Sequence, residues 1–234
     1  MTIRLFVSAL LLLCAMAPAQ SQTTFKFATL APEGSNWMRE MRAGAEAVKA
    51  RTDGRVALKY FPGGVQGSDV SVLRKMRLGQ LQGAAFTSVE LAQVVPDVQI
   101  YSLPFQFRSQ AEVDFVRPKI DPKVRAEFEP KGLVVAGIAG GGFTYLMGTR
   151  PIGSSEALRA TKVWSPQGDV IAQVAFETGG VNPIPLPLAD VFTGLSTGMV
   201  DTVANTTAGA IAFQWHTKVK YMFDLPLTYV LGML

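Results

Sequence analysis

The stretch FKFATLAPEGSNWMREMRAGAEAVKARTDGRVALKYFPGG, residues 25–64, decides the fold of this 234-residue chain. Phe25 to Leu30 puts Phe25, Phe27 and Thr29 on one side, the period-two pattern of a strand. After the loop Ala31-Pro32-Glu33-Gly34, Ser35 can cap a helix. Trp37, Met38, Met41, Ala45 and Val48 recur at helical spacing until Thr52-Asp53-Gly54 stops it. Val56, Leu58 and Tyr60 then alternate in a second strand, ended by Pro62-Gly63-Gly64. Moving outward, Ser68 and Asp69 open a second helix carrying Val72, Leu73 and Met76, which closes near Gly79. Gly83 to Thr87 reads as a short buried strand. The order β-α-β-α-β predicts a parallel sheet with right-handed crossovers.

The same order returns downstream. Lys162 to Ser165 reads as a strand, Asp169 to Thr178 as a helix ended by Gly179-Gly180, and Asn182 to Pro185 as a short extended piece. Asp190 to Thr197 reads as a helix and Val200 to Ala204 as a strand. Two related α/β units predict two lobes facing a cleft, with ligands held beyond the carboxyl ends of parallel strands. We place lobe I at residues 20–138 and lobe II at residues 139–234. Leu133 to Ile138 and Phe143 to Met147 are expected to be strands that cross between the lobes, with Gly137 to Gly142 as a flexible crossing.

Composition fits this reading: 48% of residues are apolar and 17% charged, which excludes a disordered or low-complexity chain. The net charge of +4 arises from scattered residues, not a stripe, and this argues against a nucleic-acid partner. The densest basic cluster, Arg74, Lys75 and Arg77, falls on a predicted helix and reads as a solvated face. Met1 to Arg4, Leu5 to Ala17 and Ala17-Pro18-Ala19 have the order of a basic region, an apolar core and a cleavage site, so residues 1–19 read as a signal peptide for export. Cys14 lies inside it, so no cysteine chemistry is expected of the exported chain.

Catalytic motifs are weak. His216 is the single histidine, which excludes paired-histidine zinc motifs; no metal or cofactor is expected. Gly194-Leu195-Ser196-Thr197-Gly198 matches the G-x-S-x-G spelling, with Asp201 and His216 following in order. A nucleophile elbow needs a strand before the serine and a helix after it, the reverse of what is predicted here. Gly137 to Gly142 lacks dinucleotide spacing and leads into a strand, not a helix. A binding protein is therefore favoured over an enzyme, with a hydrolase using Ser196 as a distant alternative.

Several segments together resemble a known family. They are Arg51-Thr52-Asp53-Gly54-Arg55, Phe61-Pro62-Gly63-Gly64-Val65-Gln66-Gly67, Ser102-Leu103-Pro104-Phe105-Gln106-Phe107-Arg108, and Leu188-Ala189-Asp190-Val191-Phe192-Thr193-Gly194-Leu195 with Gly198-Met199-Val200-Asp201. From about Phe25 to Leu234 the chain is similar to the DctP-type solute-binding proteins of tripartite ATP-independent periplasmic (TRAP) transporters. The resemblance implies an α/β, two-lobed periplasmic-binding-protein clamp of type II-like form, with mostly parallel sheets and crossing strands. It also implies a periplasmic location, capture of a small-molecule solute and delivery to membrane permease subunits. Relatives continue into further bracing helices where this sequence stops after Leu234, so the chain is read as C-terminally truncated.

Most members of that family hold a carboxylate with an arginine in a K-x-R-V-P strand, because guanidinium is a permanent bidentate cation. The matching stretch is Lys162-Val163-Trp164-Ser165-Pro166, with Trp164 in place of the arginine. Thr144 stands at a second arginine position, and Asn205 matches the asparagine of a Q-E-N segment. An indole offers apolar surface and one N–H donor, so an apolar or uncharged solute is expected, or a cation stacked on Trp164. This departure resembles the subgroup associated with tetratricopeptide-repeat partner proteins. The alternatives are that Trp164 is core and that a basic group such as Arg150 or Lys162 serves a dicarboxylate or monocarboxylate. The residues implied for the site are Trp164, Phe143, Thr144, Asn205 and Thr206 on one side. On the other are Pro32, Glu33, Gly64, Val65, Gln66, Thr87 and Ser88.

Overall fold

The computed structural model describes residues 22–234, so the leader read at residues 1–19, with Cys14, lies outside the described residues. The first unit follows the predicted order: β1 (Thr23–Thr29), α1 (Asn36–Arg51), β2 (Val56–Phe61), α2 (Asp69–Arg77) and β3 (Gly83–Thr87). Ser35 caps α1 by accepting a hydrogen bond from Met38 N at 3.3 Å. Lys49 and Arg51 sit in its last turn, where cations oppose the helix dipole. Met38 and Ala45 are the residues α1 buries, packed with Tyr60 of β2. Strand β1 lies between β2 and β3 and is parallel to both, with Phe27 opposite Tyr60 and Ala28 opposite Ala84.

After β3 come a one-turn helix α3 (Ser88–Leu91), a 3-10 segment (Pro96–Ser102) and α4 (Gln110–Phe128). Strand β4 (Ile138–Gly148) starts the second unit, followed by α5 (Ser155–Arg159), β5 (Trp164–Pro166), α6 (Val170–Thr178) and β6 (Ile184–Leu186). Then come α7 (Val191–Thr197), β7 (Thr202–Thr206), α8 (Thr207–Ala212), β8 (Tyr221–Met222) and β9 (Tyr229–Met233). Strands β5 and β6 are parallel, and Val163 bridges Thr202 in parallel fashion. The second unit thus repeats the β2-β1-β3 arrangement as β6-β5-β7, the architecture the repeated sequence order implies.

The connection between the units differs from expectation. Strand β4 is continuous through Gly140-Gly141-Gly142, where a flexible crossing was predicted, and Leu133 to Gly137 precede it outside any strand. Its first half pairs antiparallel with β9, and its second half pairs with β7 and β8. A bulge between Gly140 and Gly142 absorbs the register change. A Cβ on Gly141 would lie 2.9 Å from the carbonyl of Val230, so this close backbone approach needs glycine. Strand β9 also pairs with β3, so residues 229–233 belong to the sheet of the first unit although they fall within 139–234. The sheet order is β2-β1-β3-β9-β4-β7, with β8 on β4. Val200 to Ala204, read as a strand, is displaced to Thr202–Thr206, because Met199 and Val200 still bond back to Gly194 O at the end of α7.

One core cluster, with Val72, Phe86, Tyr101, Phe128, Leu231 and Met233, supports the first unit. A second, built on Trp164, Val191, Val203, Trp215 and Met147, supports the other. Among the described residues no helix is long and apolar enough to cross a membrane.

Candidate functional site

A cavity of about 490 Å3 lies between the two units. It opens at the carboxyl ends of β1, β3, β5 and β7, through Leu30, Thr87, Pro166 and Thr206. That is the end of parallel strands where α/β folds place ligands, because the connecting loops diverge there and helices begin. Much of the wall is aromatic or aliphatic, with Trp37, Phe86 and Phe105 on one side and Trp164, Phe176 and Phe213 on the other.

Of the residues expected at the site, the cavity gathers Trp164, Thr144, Asn205, Thr206, Pro32 and Thr87. Trp164 is only 3% exposed and meets Trp215 edge-on, with ring centroids 5.3 Å apart, so it belongs to the core and the cavity wall at once. Its N–H donates to Leu186 O at 3.0 Å, which leaves the indole surface as its contribution to the cavity. Thr144 Oγ1 is 2.8 Å from Thr228 Oγ1. Asn205 Oδ1 accepts from Thr206 N at 2.7 Å, and Thr206 Oγ1 caps α8 by accepting from Gly209 N at 2.9 Å.

The others stand elsewhere. Phe143 packs edge-on against Tyr229 at 5.1 Å, in the first core cluster, because its position on β4 turns it away from the cavity. Glu33 is exposed and paired with Arg42, whose guanidinium lowers the carboxyl below its ordinary value. Gly64 and Gln66 line a smaller depression that adjoins the cavity and shares Thr29, Leu30, Ala85, Phe86 and Glu90 with it, and Val65 is 71% exposed. Ser88 is fully buried, 3.4 Å from Ser102 Oγ and accepting a long hydrogen bond from Leu231 N.

Two residues escaped the sequence reading of the site, Glu90 and Asp169. They are the ionisable side chains lining the cavity among the described residues; no lysine, arginine or histidine lines it. Glu90 completes a capping box with Thr87, its Oε2 accepting from Thr87 N at 2.6 Å and from Thr87 Oγ1 at 3.1 Å. Burial, reinforced by the charge of Asp69, pushes its carboxyl up to about 7. Asp169 caps α6 through Ala172 N at 3.0 Å and accepts from Gln99 Nε2 of the first unit at 3.3 Å. Burial raises its carboxyl as well. The T-x-x-E spelling of Thr87 to Glu90 was the available signal, since a capping box places its glutamate in the first turn of a helix, here the helix that follows the end of β3.

The family model for bacterial extracellular solute-binding protein, family 7 (DctP), matches residues 27–225. The chain belongs to this family. The family is described as one of extracellular solute-binding proteins, that is, receptors and not enzymes. This chain is 28% identical over 158 residues to the 2,3-diketo-L-gulonate-binding periplasmic protein YiaO of Escherichia coli, covering 67% of this chain and 48% of that protein. It spans about half the length of the first curated relatives it matches. Among solved structures, a TRAP periplasmic solute-binding protein from Xanthobacter autotrophicus with bound β-D-galacturonate is similar at 25% identity and a TM-score of 0.81. That match covers 89% of this chain and 71% of the other. A TRAP protein from Ochrobactrum anthropi, with its C-terminus bound in the ligand-binding pocket, is 27% identical at a TM-score of 0.73 and covers 92% and 68%.

Within this DctP-type fold, Arg150 and Lys162 do not line the cavity. Arg150 hydrogen-bonds Ala160 O and lies 3.7 Å from Asp201, while Lys162 Nζ donates to Gly198 O at 2.8 Å. The hydrolase alternative is overturned by family and geometry together. Ser196 sits within α7, before β7, with its hydroxyl donating to Phe192 O at 2.8 Å. Asp201 accepts from Lys162 N at 2.8 Å, and His216 Nδ1 lies 3.3 Å from Ala210 O, so both are engaged away from the serine.

Proposed function

We propose that this chain is the periplasmic receptor of a TRAP-type secondary transporter. Its two α/β units act as lobes of a clamp that captures a small solute in the cleft and delivers it to membrane permease subunits, after export by the leader at residues 1–19. Hinge closure of this kind makes affinity depend on the population of the closed state. The solute has an apolar body and carries no anionic group; a periplasmic tetratricopeptide-repeat partner belongs to the same reading.

The observation that carries the solute class is the absence of a basic side chain from the described lining of the cavity. A carboxylate taken from water into an apolar site needs a cation or a dense set of donors to offset its desolvation. By the sequence resemblance Trp164 stands where most of the family carries an arginine, and Arg150 and Lys162 are engaged outside the cavity. The second reading, a small organic acid, is favoured by the galacturonate and 2,3-diketo-L-gulonate in the names of relatives. Native mass spectrometry of the protein from its own host separates the two. An aromatic, lipid-like or otherwise non-acidic molecule in the cleft is expected. Recovery of a uronate or dicarboxylate would overturn the non-anionic reading.

A further inference from the structure

The proposed solute site contains charge of one sign, and that charge lacks a partner. Overall the chain carries more basic than acidic residues, 22 against 18, yet among the described residues lining the cavity Glu90 and Asp169 have no cation beside them. The two come from opposite walls: Glu90 from α3 of the first unit and Asp169 from the start of α6 in the second. The ion pairs among the described residues are Arg42–Glu33, Arg117–Asp121, Arg150–Asp201 and Arg159–Glu156, none of which involves either group. Lys75 of α2, the lysine nearest Glu90 in sequence, is turned to Gln66, whose carbonyl and side-chain oxygens accept at 2.8 and 2.9 Å, and Lys162, the lysine nearest Asp169, is turned to Gly198 O. Asp69 of the same helix adds negative charge near Glu90 and is itself held by Gln93 Nε2 at 2.8 Å.

One oxygen of Glu90 remains available. Both hydrogen bonds it receives from Thr87 end on Oε2, and Oε1 receives none. Nor is Oε1 sealed in, since the single fully buried side-chain polar atom without a partner among the described residues is Trp215 Nε1. A carboxylate in an apolar wall is penalised for its lost hydration, and a ligand cation restores the missing partner at short range in a medium of low dielectric. The aromatic faces of Trp164, Phe176 and Phe213 complement such a ligand, since ring faces attract cations and pack apolar surface.

Resting on the receptor reading above, we infer that the cleft takes an organic amine, an apolar body with a protonated ammonium head, whose charge is met by the carboxyls of Glu90 and Asp169. The test is isothermal titration calorimetry of the full chain with three probes of one shape: benzylammonium, benzyl alcohol and benzoate. Benzylammonium is expected to bind about tenfold more tightly than the alcohol, the worth of a charge-assisted hydrogen bond. Glu90→Gln and Asp169→Asn keep both helix caps, and each is expected to bring the ammonium-to-alcohol ratio down to about twofold, with thermal melts confirming that the variants fold. In the parent chain the ratio is expected to rise between about pH 6 and pH 8, as Glu90 ionises while the amine stays charged. Equal affinity for the amine and the alcohol would overturn the amine inference and leave the non-anionic receptor standing. Tightest binding of benzoate would overturn both.

Discussion

Trp164 shows how one residue serves the core and the cavity wall together. Its ring is wedged against Trp215 and its N–H is spent on Leu186 O, while part of its surface faces the cavity. Trp164→Ala is expected to lower stability by about 3–5 kcal/mol in urea unfolding, through lost packing and a new void. Trp164→Phe is expected to lose only about 1 kcal/mol, chiefly the hydrogen bond to Leu186. Glu90 makes a pH prediction. The folded state holds its proton up to about pH 7 against an ordinary 4.5, so this group's contribution to stability is lost as pH rises through that window. Glu90→Gln should therefore gain about 1–3 kcal/mol over the parent near pH 8 and nothing near pH 4, read from denaturation midpoints at the two pH values.

Among the elements, β4 carries the connection between units, and its glycines have unequal roles. A methyl group on Gly141 would press on the backbone carbonyl of Val230 in β9, whereas one on Gly137 meets nothing within 4 Å. Gly141→Ala is expected to destabilise the protein by about 1–3 kcal/mol, and Gly137→Ala by less than about 0.5 kcal/mol, in parallel chemical denaturation. Helix α4 was not legible in the sequence because Pro118 and Pro122 interrupt it, each removing a backbone donor. Its start carried a signal all the same, Ser109 capping through Glu112 N at 3.3 Å. Arg117 of this helix pairs with Asp121 and donates to Ile138 O at 2.9 Å, which fixes the start of β4.

Across the whole molecule, the two units meet over the cavity at Gln99 and Asp169 as well as through shared strands. That side-chain contact joins residues 70 apart in sequence and lies at the cavity wall. Removing it with Gln99→Ala is expected to speed release of the proposed solute by about three- to tenfold in stopped-flow fluorescence, because one hydrogen bond to a carboxylate that joins the two units is lost. Unchanged release would mean that the shared strands alone set the spacing of the units.

The repeated β-α-β-α-β order, the cap at Ser35, the helix opening at Asp169 and the non-catalytic setting of Ser196 were all readable along the chain. These are local properties, set by hydrophobic period, turn residues and neighbours within a few positions. That Trp164 lies near the site was also an expectation of the sequence, and the cavity lining includes it. Tertiary structure alone decided that Phe143 turns into the core, that Ser88 is sealed under β9 and that Glu90 and Asp169 share one cavity with no cation among the described residues that line it. Those outcomes depend on which strands pair across more than a hundred residues and on which side chains the paired units then enclose. A linear pattern of polar and apolar residues does not encode that distance.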